Sequence, residues 1–139
     1  MVGLLVVTHG RLAEELVAAA KKIVGEVPRV EAIAIGWDED VAKASRAIEE
    51  AIKRSDEGQG VLVLTDMFGG TPTNLSLTFH KPGRVEIVTG VNLPMVIKFT
   101  NLRGVDTLEE VAAKIRDQGR RAIHSAHEVL KSGVDRGAA

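Results

Sequence analysis

The chain contains no cysteine. Disulfides, cysteine-ligated zinc and thiol nucleophiles are therefore excluded, and a reducing cytoplasm is the compartment such a sequence suits. Aromatic surface is also scarce, with three phenylalanines, one tryptophan and no tyrosine, and neither charge dominates, 18 Lys and Arg standing against 19 Asp and Glu. Nucleic acid is not an expected partner, because it would need a basic footprint or a set of stacking platforms. Long apolar runs are missing as well. The start, MVGLLVVTHG, has only a short apolar run, with no basic residue before it and no cleavage pattern. It reads as a first strand, not a signal peptide, and nothing in the sequence is expected to insert into a membrane.

What the sequence does have is a regular alternation of strand-like and helix-like segments over 139 residues, a length suited to one domain that can bury a core without staples. Residues 3–8, 30–36, 60–65 and 84–90 read as strands. Between the first two, Leu12, Leu16, Val17, Ala20, Ile23 and Val24 recur at helical spacing, with Gly25 and Pro28 as the stop. Asp38 is a candidate cap for a second helix with the stripe Val41, Ala44, Ile48, Ala51 and Ile52. Pro72 suits the first turn of a third helix reaching about Phe79, and Asn92 with Pro94 starts a shorter fourth. Thr107 and Glu110 form a capping box for one long last helix running past Ile115 and Ile123 to Leu130. The expected fold is a single-domain, doubly wound α/β structure with a mainly parallel four-stranded sheet and helices on both faces, spanning residues 1–131, with a flexible tail at 132–139.

In such sheets the ligand site lies beyond the carboxyl ends of the strands. That rule gathers Thr8, His9 and Gly10 after the first strand, Trp37 and Asp38 after the second, residues 66–73 after the third and residues 90–94 after the fourth. His9, at a strand end beside a glycine, can serve as nucleophile, general base, metal ligand or simple loop residue, and a metal is the weakest of these because the rim offers no second histidine. Asp66 can cap the following turn, or it can take the proton of one imidazole nitrogen and leave the other as a free lone pair. That pairing needs His9 and Asp66 on adjacent strands, which a sheet with the first strand between the second and third would supply. Gly69, Gly70 and Thr71 open a helix, where they can form either an anion nest or an ordinary glycine turn with a threonine cap. The stretch is neither a Walker A loop nor GxGxxG, so a nucleotide is unsupported. Trp37 can be a partner contact or core packing. His80 stands near a helix end, and His124 with His127 is read as helix surface.

Three motifs in order, THG after the first strand, DMFGGTPTN after the third and GVNLPM after the fourth, resemble the IIA component of the mannose/fructose/sorbose family of the bacterial phosphoenolpyruvate:sugar phosphotransferase system. The resemblance covers residues 1 to about 130. It implies a cytoplasmic α/β domain, typically a homodimer, that takes a phosphoryl group from the phosphohistidine carrier HPr and passes it to a IIB domain, with no metal and no cofactor. Residue by residue, it implies that His9 is the phosphorylated histidine and Asp66 its hydrogen-bonding partner. Phe68, Gly69, Gly70 and Thr71 match the phosphate-side loop, and Asn92, Leu93 and Pro94 a further rim motif with a shaping role. Because no linker or IIB domain follows within the sequence, the acceptor is expected to be a separate protein. Two rivals use the same histidine: the phosphotransfer subunit of a phosphoenolpyruvate-dependent dihydroxyacetone kinase, and a regulatory module whose phosphorylation state is sensed by a partner.

Overall fold

A computed structural model of the chain describes residues 1–26, 29–102, 104 and 106–132. The stop assigned to Pro28 and residues 133–139 of the tail lie outside the described residues. The described chain runs β1 (Gly3–His9), α1 (Leu12–Val24), β2 (Val30–Ile35), α2 (Val41–Ser55), β3 (Val61–Thr65), α3 (Gly70–Leu77), β4 (Val85–Thr89), α4 (Leu93–Thr100), α5 (Leu108–Arg121) and α6 (Ala126–Ser132). The four strands form one sheet in the order β2-β1-β3-β4, with every neighbouring pair parallel. This is the doubly wound α/β architecture expected from the alternation, with β1 between β2 and β3.

Strands that bury both faces need apolar residues at successive positions, because neighbouring side chains point to opposite sides. In β1, Leu4 and Val6 pack with α1, α4 and α5 through Ala13, Val17, Val96, Phe99, Val111 and Ile115. Leu5 and Val7 face the other way, into a second cluster that includes Ala44, Ile48 and Ala51 of α2, with Leu75 of α3 packed against it. β3 repeats the division, Leu62 and Leu64 on one side and Val61 and Val63 on the other. At roughly 1.5–3 kcal/mol for each large side chain removed from water, these two layers dominate the favourable side of folding.

Two expectations about the helices need correction. The cap of α2 is Asp40, whose carboxylate accepts the Ala42 N–H at 3.1 Å, and not Asp38. The helix begins at Val41, which puts Asp40 in the cap position, where a side-chain oxygen reaches the free first-turn donors. The long last helix is two helices. The Thr107–Glu110 capping box forms and starts α5, but α5 ends at Arg121. Ser125 then caps α6, its hydroxyl accepting the Glu128 N–H at 3.2 Å and its carbonyl the Val129 N–H at 3.1 Å. The sequence carried a sign of this start, a serine three residues before a glutamate, which the apolar spacing concealed. Ile123 and Leu130, read as part of the single long helix, are exposed.

Candidate functional site

Parallel strands bring the four βα loops to one edge, and the register sets who meets whom. His9, the last residue of β1, is paired with Ile35 of β2, and Val7 with Thr65 of β3, so the loop after β3 starts beside the end of β1. Asp66 is the first residue of that loop. Its Oδ2 accepts the His9 backbone N–H at 3.0 Å and lies 2.7 Å from His9 Nδ1. One carboxylate oxygen thus fixes both the backbone and the ring of the same histidine. Burial alone would push the Asp66 carboxyl up, but the hydrogen bonds from the His9 backbone and ring, with the charge of the ring, hold it below its ordinary value. An ionised Asp66 accepts from Nδ1–H, which selects the tautomer with the lone pair on Nε2.

The Nε2 edge faces the start of α3. A Cβ built on Gly70 would come within 2.9 Å of His9 Cε1 and 3.1 Å of Nε2, and Gly70 has φ +78°, so the position has no room for a side chain and a backbone that favours glycine. Gly69 caps α3 without a side-chain hydrogen bond and has φ +89°. The first-turn N–H groups therefore receive no acceptor from the cap residue and remain available at the positive end of the helix. Thr71 is exposed on that first turn, and the Phe68 ring is 81% exposed. Beneath the loop, buried Thr73 bonds to Thr65 Oγ1 at 2.7 Å and donates to the Met67 carbonyl, tying the glycine segment to the end of β3.

The other rim residues have separate tasks. Thr8 is completely buried, and its Oγ1 accepts the Ala13 N–H at 2.7 Å, so it caps α1 from below the rim. Asn92 caps α4 through Met95 N–H at 3.1 Å and donates Nδ2–H to the Gly119 carbonyl of α5 at 3.2 Å. Leu93 packs against the core beside it, and Pro94 lies in the first turn of α4. A groove of about 600 Å³ along β4 shares Phe68 and Asn92 with this edge but is not lined by His9. Trp37 is no core residue. It is 79% exposed, and its ring stacks on the His9 imidazole with centroids 5.2 Å apart and planes at 21°. The sequence placed Trp37 on the right edge but held no sign of its neighbour, which only the β1–β2 register supplies. Thr73 was gathered with the loop after the third strand, but its tie to Thr65 and Met67 had no sign in the sequence. His80 lies 3.4 Å from Glu86 Oε1, away from the site, and His124 and His127 are exposed. Among the described residues no three His, Asp or Glu side chains converge as a metal site would require, and no helix is long and apolar enough to cross a membrane.

A histidine held by a carboxylate, its other nitrogen turned toward a glycine-lined helix start, is an arrangement suited to handling a small anion. The family model EIIA-man, described as PTS system fructose IIA component, matches residues 3–116. The chain is 26% identical over 132 residues to the PTS system fructose-specific EIIA component of Bacillus subtilis (strain 168), covering 94% of this chain and 90% of that one. It is 30% identical over 129 residues to the PTS system mannose-specific EIIAB component of Escherichia coli (strain K12), covering 88% of this chain and 38% of that longer one. The mannose/sorbose specific IIA subunit of the phosphotransferase system from Enterococcus faecalis superimposes with a TM-score of 0.80 at 28% identity, covering 89% of this chain and 93% of that chain. The chain belongs to the EIIA family of the mannose/fructose/sorbose type, and its role is phosphotransfer within a sugar phosphotransferase system. Partners of the phosphocarrier and IIB types come with that family.

Proposed function

We propose that this chain is a cytoplasmic phosphocarrier that accepts a phosphoryl group from phospho-HPr on His9 and passes it to a separate IIB protein, with residues 1–131 as its working domain. The observation that carries the proposal is the 2.7 Å contact of Asp66 Oδ2 with His9 Nδ1, which leaves Nε2 as the nucleophile on the side of Gly70. The Nε2 lone pair forms a bond to the phosphorus of the donor phosphohistidine. The donor's N–P bond breaks, and its electron pair returns to the donor imidazole. His9 keeps its Nδ1 proton, and Asp66 balances the positive charge that the ring acquires. The N–H groups at the start of α3 and the Thr71 hydroxyl receive the equatorial oxygens, with the shape of the loop set by Gly69 and the outer wall by Phe68. Most of the rate comes from positioning and charge stabilisation, since phosphoryl transfer asks for little covalent help. A phosphoramidate bond is exchanged for another of the same kind, so the transfer is reversible and no metal or cofactor takes part. A homodimer fits the outer edge of β4, which beyond the bridge of Val85 to Lys81 pairs with nothing among the described residues.

The test is incubation with phosphoenolpyruvate, enzyme I and HPr, followed by intact mass and acid lability. Wild type should gain one acid-labile phosphate that His9→Ala lacks entirely. Phosphate retained on the His9→Ala protein would remove the assignment.

A further inference from the structure

Trp37 is the feature of the site that the transfer chemistry does not itself demand. It is the chain's single tryptophan and is left 79% exposed, although a large aromatic ring in water forgoes the stabilisation that burial would give. Its position follows from the sheet. Ile35, the register partner of His9, accepts the Gly10 N–H at 2.9 Å, so the loops leaving β1 and β2 run side by side. Gly10, with φ +55°, presents no side chain between them, and a Cβ there would lie 3.8 Å from the indole Nε1. The indole therefore rests across Gly10 and covers one face of the imidazole, 5.2 Å from it.

We propose that Trp37 is a positioning residue for His9, its indole holding the imidazole in the plane that Asp66 and Gly70 set and stabilising the positive ring formed when Nε2 takes a phosphoryl group. The inference rests on the phosphocarrier reading. A single hydrogen bond to Nδ1 leaves the ring free to rock about it, and Gly70 bounds only the Cε1–Nε2 edge. The indole closes a face that neither of them touches. It also acts differently on the two states of the ring. Toward neutral imidazole it offers dispersion alone, whereas toward the phosphorylated ring, which keeps its Nδ1 proton, the π face adds an attraction to positive charge. Only an interaction that grows as the charge develops raises the rate. Because the outer face of Trp37 is in water, the effect belongs at the exposed end of the range for such contacts, about two- to fivefold in rate.

The test compares wild type, Trp37→Ala and Trp37→Phe with two donors, phospho-HPr and the small molecule phosphoramidate, reading the rate at which phosphate appears on His9 by quenched mass mapping. With both donors Trp37→Ala should be slower by about two- to fivefold with an unchanged Tm, and Trp37→Phe should recover most of the loss. With phosphoramidate and no other protein present, tryptophan emission from wild type should change as His9 is phosphorylated, and His9→Ala should show no such change. Wild-type rates for Trp37→Ala on a wild type that does take phosphate would overturn this inference and leave the phosphocarrier reading intact. A loss confined to phospho-HPr would also overturn it, by making Trp37 a docking contact. A wild type that takes no phosphate from either donor would overturn both.

Discussion

At the amino-terminal ends of the strands, charged groups are matched to one another, although the buried Ser55 Oγ beside Gly3 has no hydrogen-bond partner among the described residues. Asp56 accepts the N–H groups of Gly58 and Gly60 at 2.8 and 3.2 Å and pairs with Arg84 at 2.9 Å. Arg54 pairs with Glu31, and Arg29 with Glu57, which also meets the chain's amino terminus. At the carboxyl ends the matching stops short. His9 Nδ1 is held and its Nε2 edge is turned to Gly70, Asp66 Oδ1 is buried with no hydrogen-bond partner among the described residues, and Trp37, Met67 and Phe68 stand in solvent. The difference follows from chain direction. In a parallel sheet the helices that follow the strands begin at the carboxyl edge, so unsatisfied N–H donors and positive helix ends collect there, and partners left out of the fold can be supplied by a ligand.

Substitutions at equivalent places on the two edges break the comparison most sharply. Gly70→Ala drives a methyl against His9 Cε1 and Nε2 and should slow phosphorylation of His9, in the protein that remains folded, by about 10²-fold, the scale of an ångström of misplacement, while the φ of +78° adds about 1–3 kcal/mol of backbone strain. At the opposite edge, Gly60 has φ +91°, and an added Cβ would lie 2.9 Å from both the Arg84 carbonyl and Leu108 Cδ2. Gly60→Ala should cost about 2–3 kcal/mol in denaturant unfolding while the protein that remains folded takes phosphate at the wild-type rate. If Gly60→Ala instead removed activity without loss of stability, the division of labour between the edges would be wrong.

Asp66→Asn tests both sides of the comparison in one residue. Losing the charged acceptor should slow transfer by about tenfold, the scale of one charge-assisted hydrogen bond. Its pH signature has a definite sign. Because the folded-state value of Asp66 is depressed, its contribution to stability is complete at neutral pH and is lost as pH falls through the ordinary carboxylate range and below. Acid unfolding followed by circular dichroism should therefore show wild type and Asp66→Asn converging as pH drops. Curves that diverge toward low pH would contradict the pairing. The smallest effect is expected from Arg84→Gln, an exposed partner of Asp56, at no more than about 1 kcal/mol and with no change in phosphorylation.

Much of this was legible in advance because it depends on short-range rules. The capping box at Thr107, the cap at Asn92 and the four strand segments are local patterns of donor, acceptor and hydrophobicity, and the structure realises them. The misplaced cap at Asp38 and the single last helix were errors of degree, in which three acidic residues in a row and an apolar spacing across Ile123 each allowed more than one reading. The edge on which His9, Asp66 and Gly70 gather was legible from strand direction alone.

By itself the sequence determined the alternation of elements, the apolar runs of β1 and β3 that require burial on both faces, and the glycines at the start of α3, because each of these is set by residues within a few positions of one another. Only the tertiary structure decided that one oxygen of Asp66 would hold both backbone and ring of His9, that the absent side chain of Gly70 would make room for Nε2, and that Trp37 would lie over the imidazole. Those contacts join residues 28 to 61 positions apart in the chain. Their distances are set by strand order and register, which arise from packing the whole sheet at once and leave no mark on any local stretch.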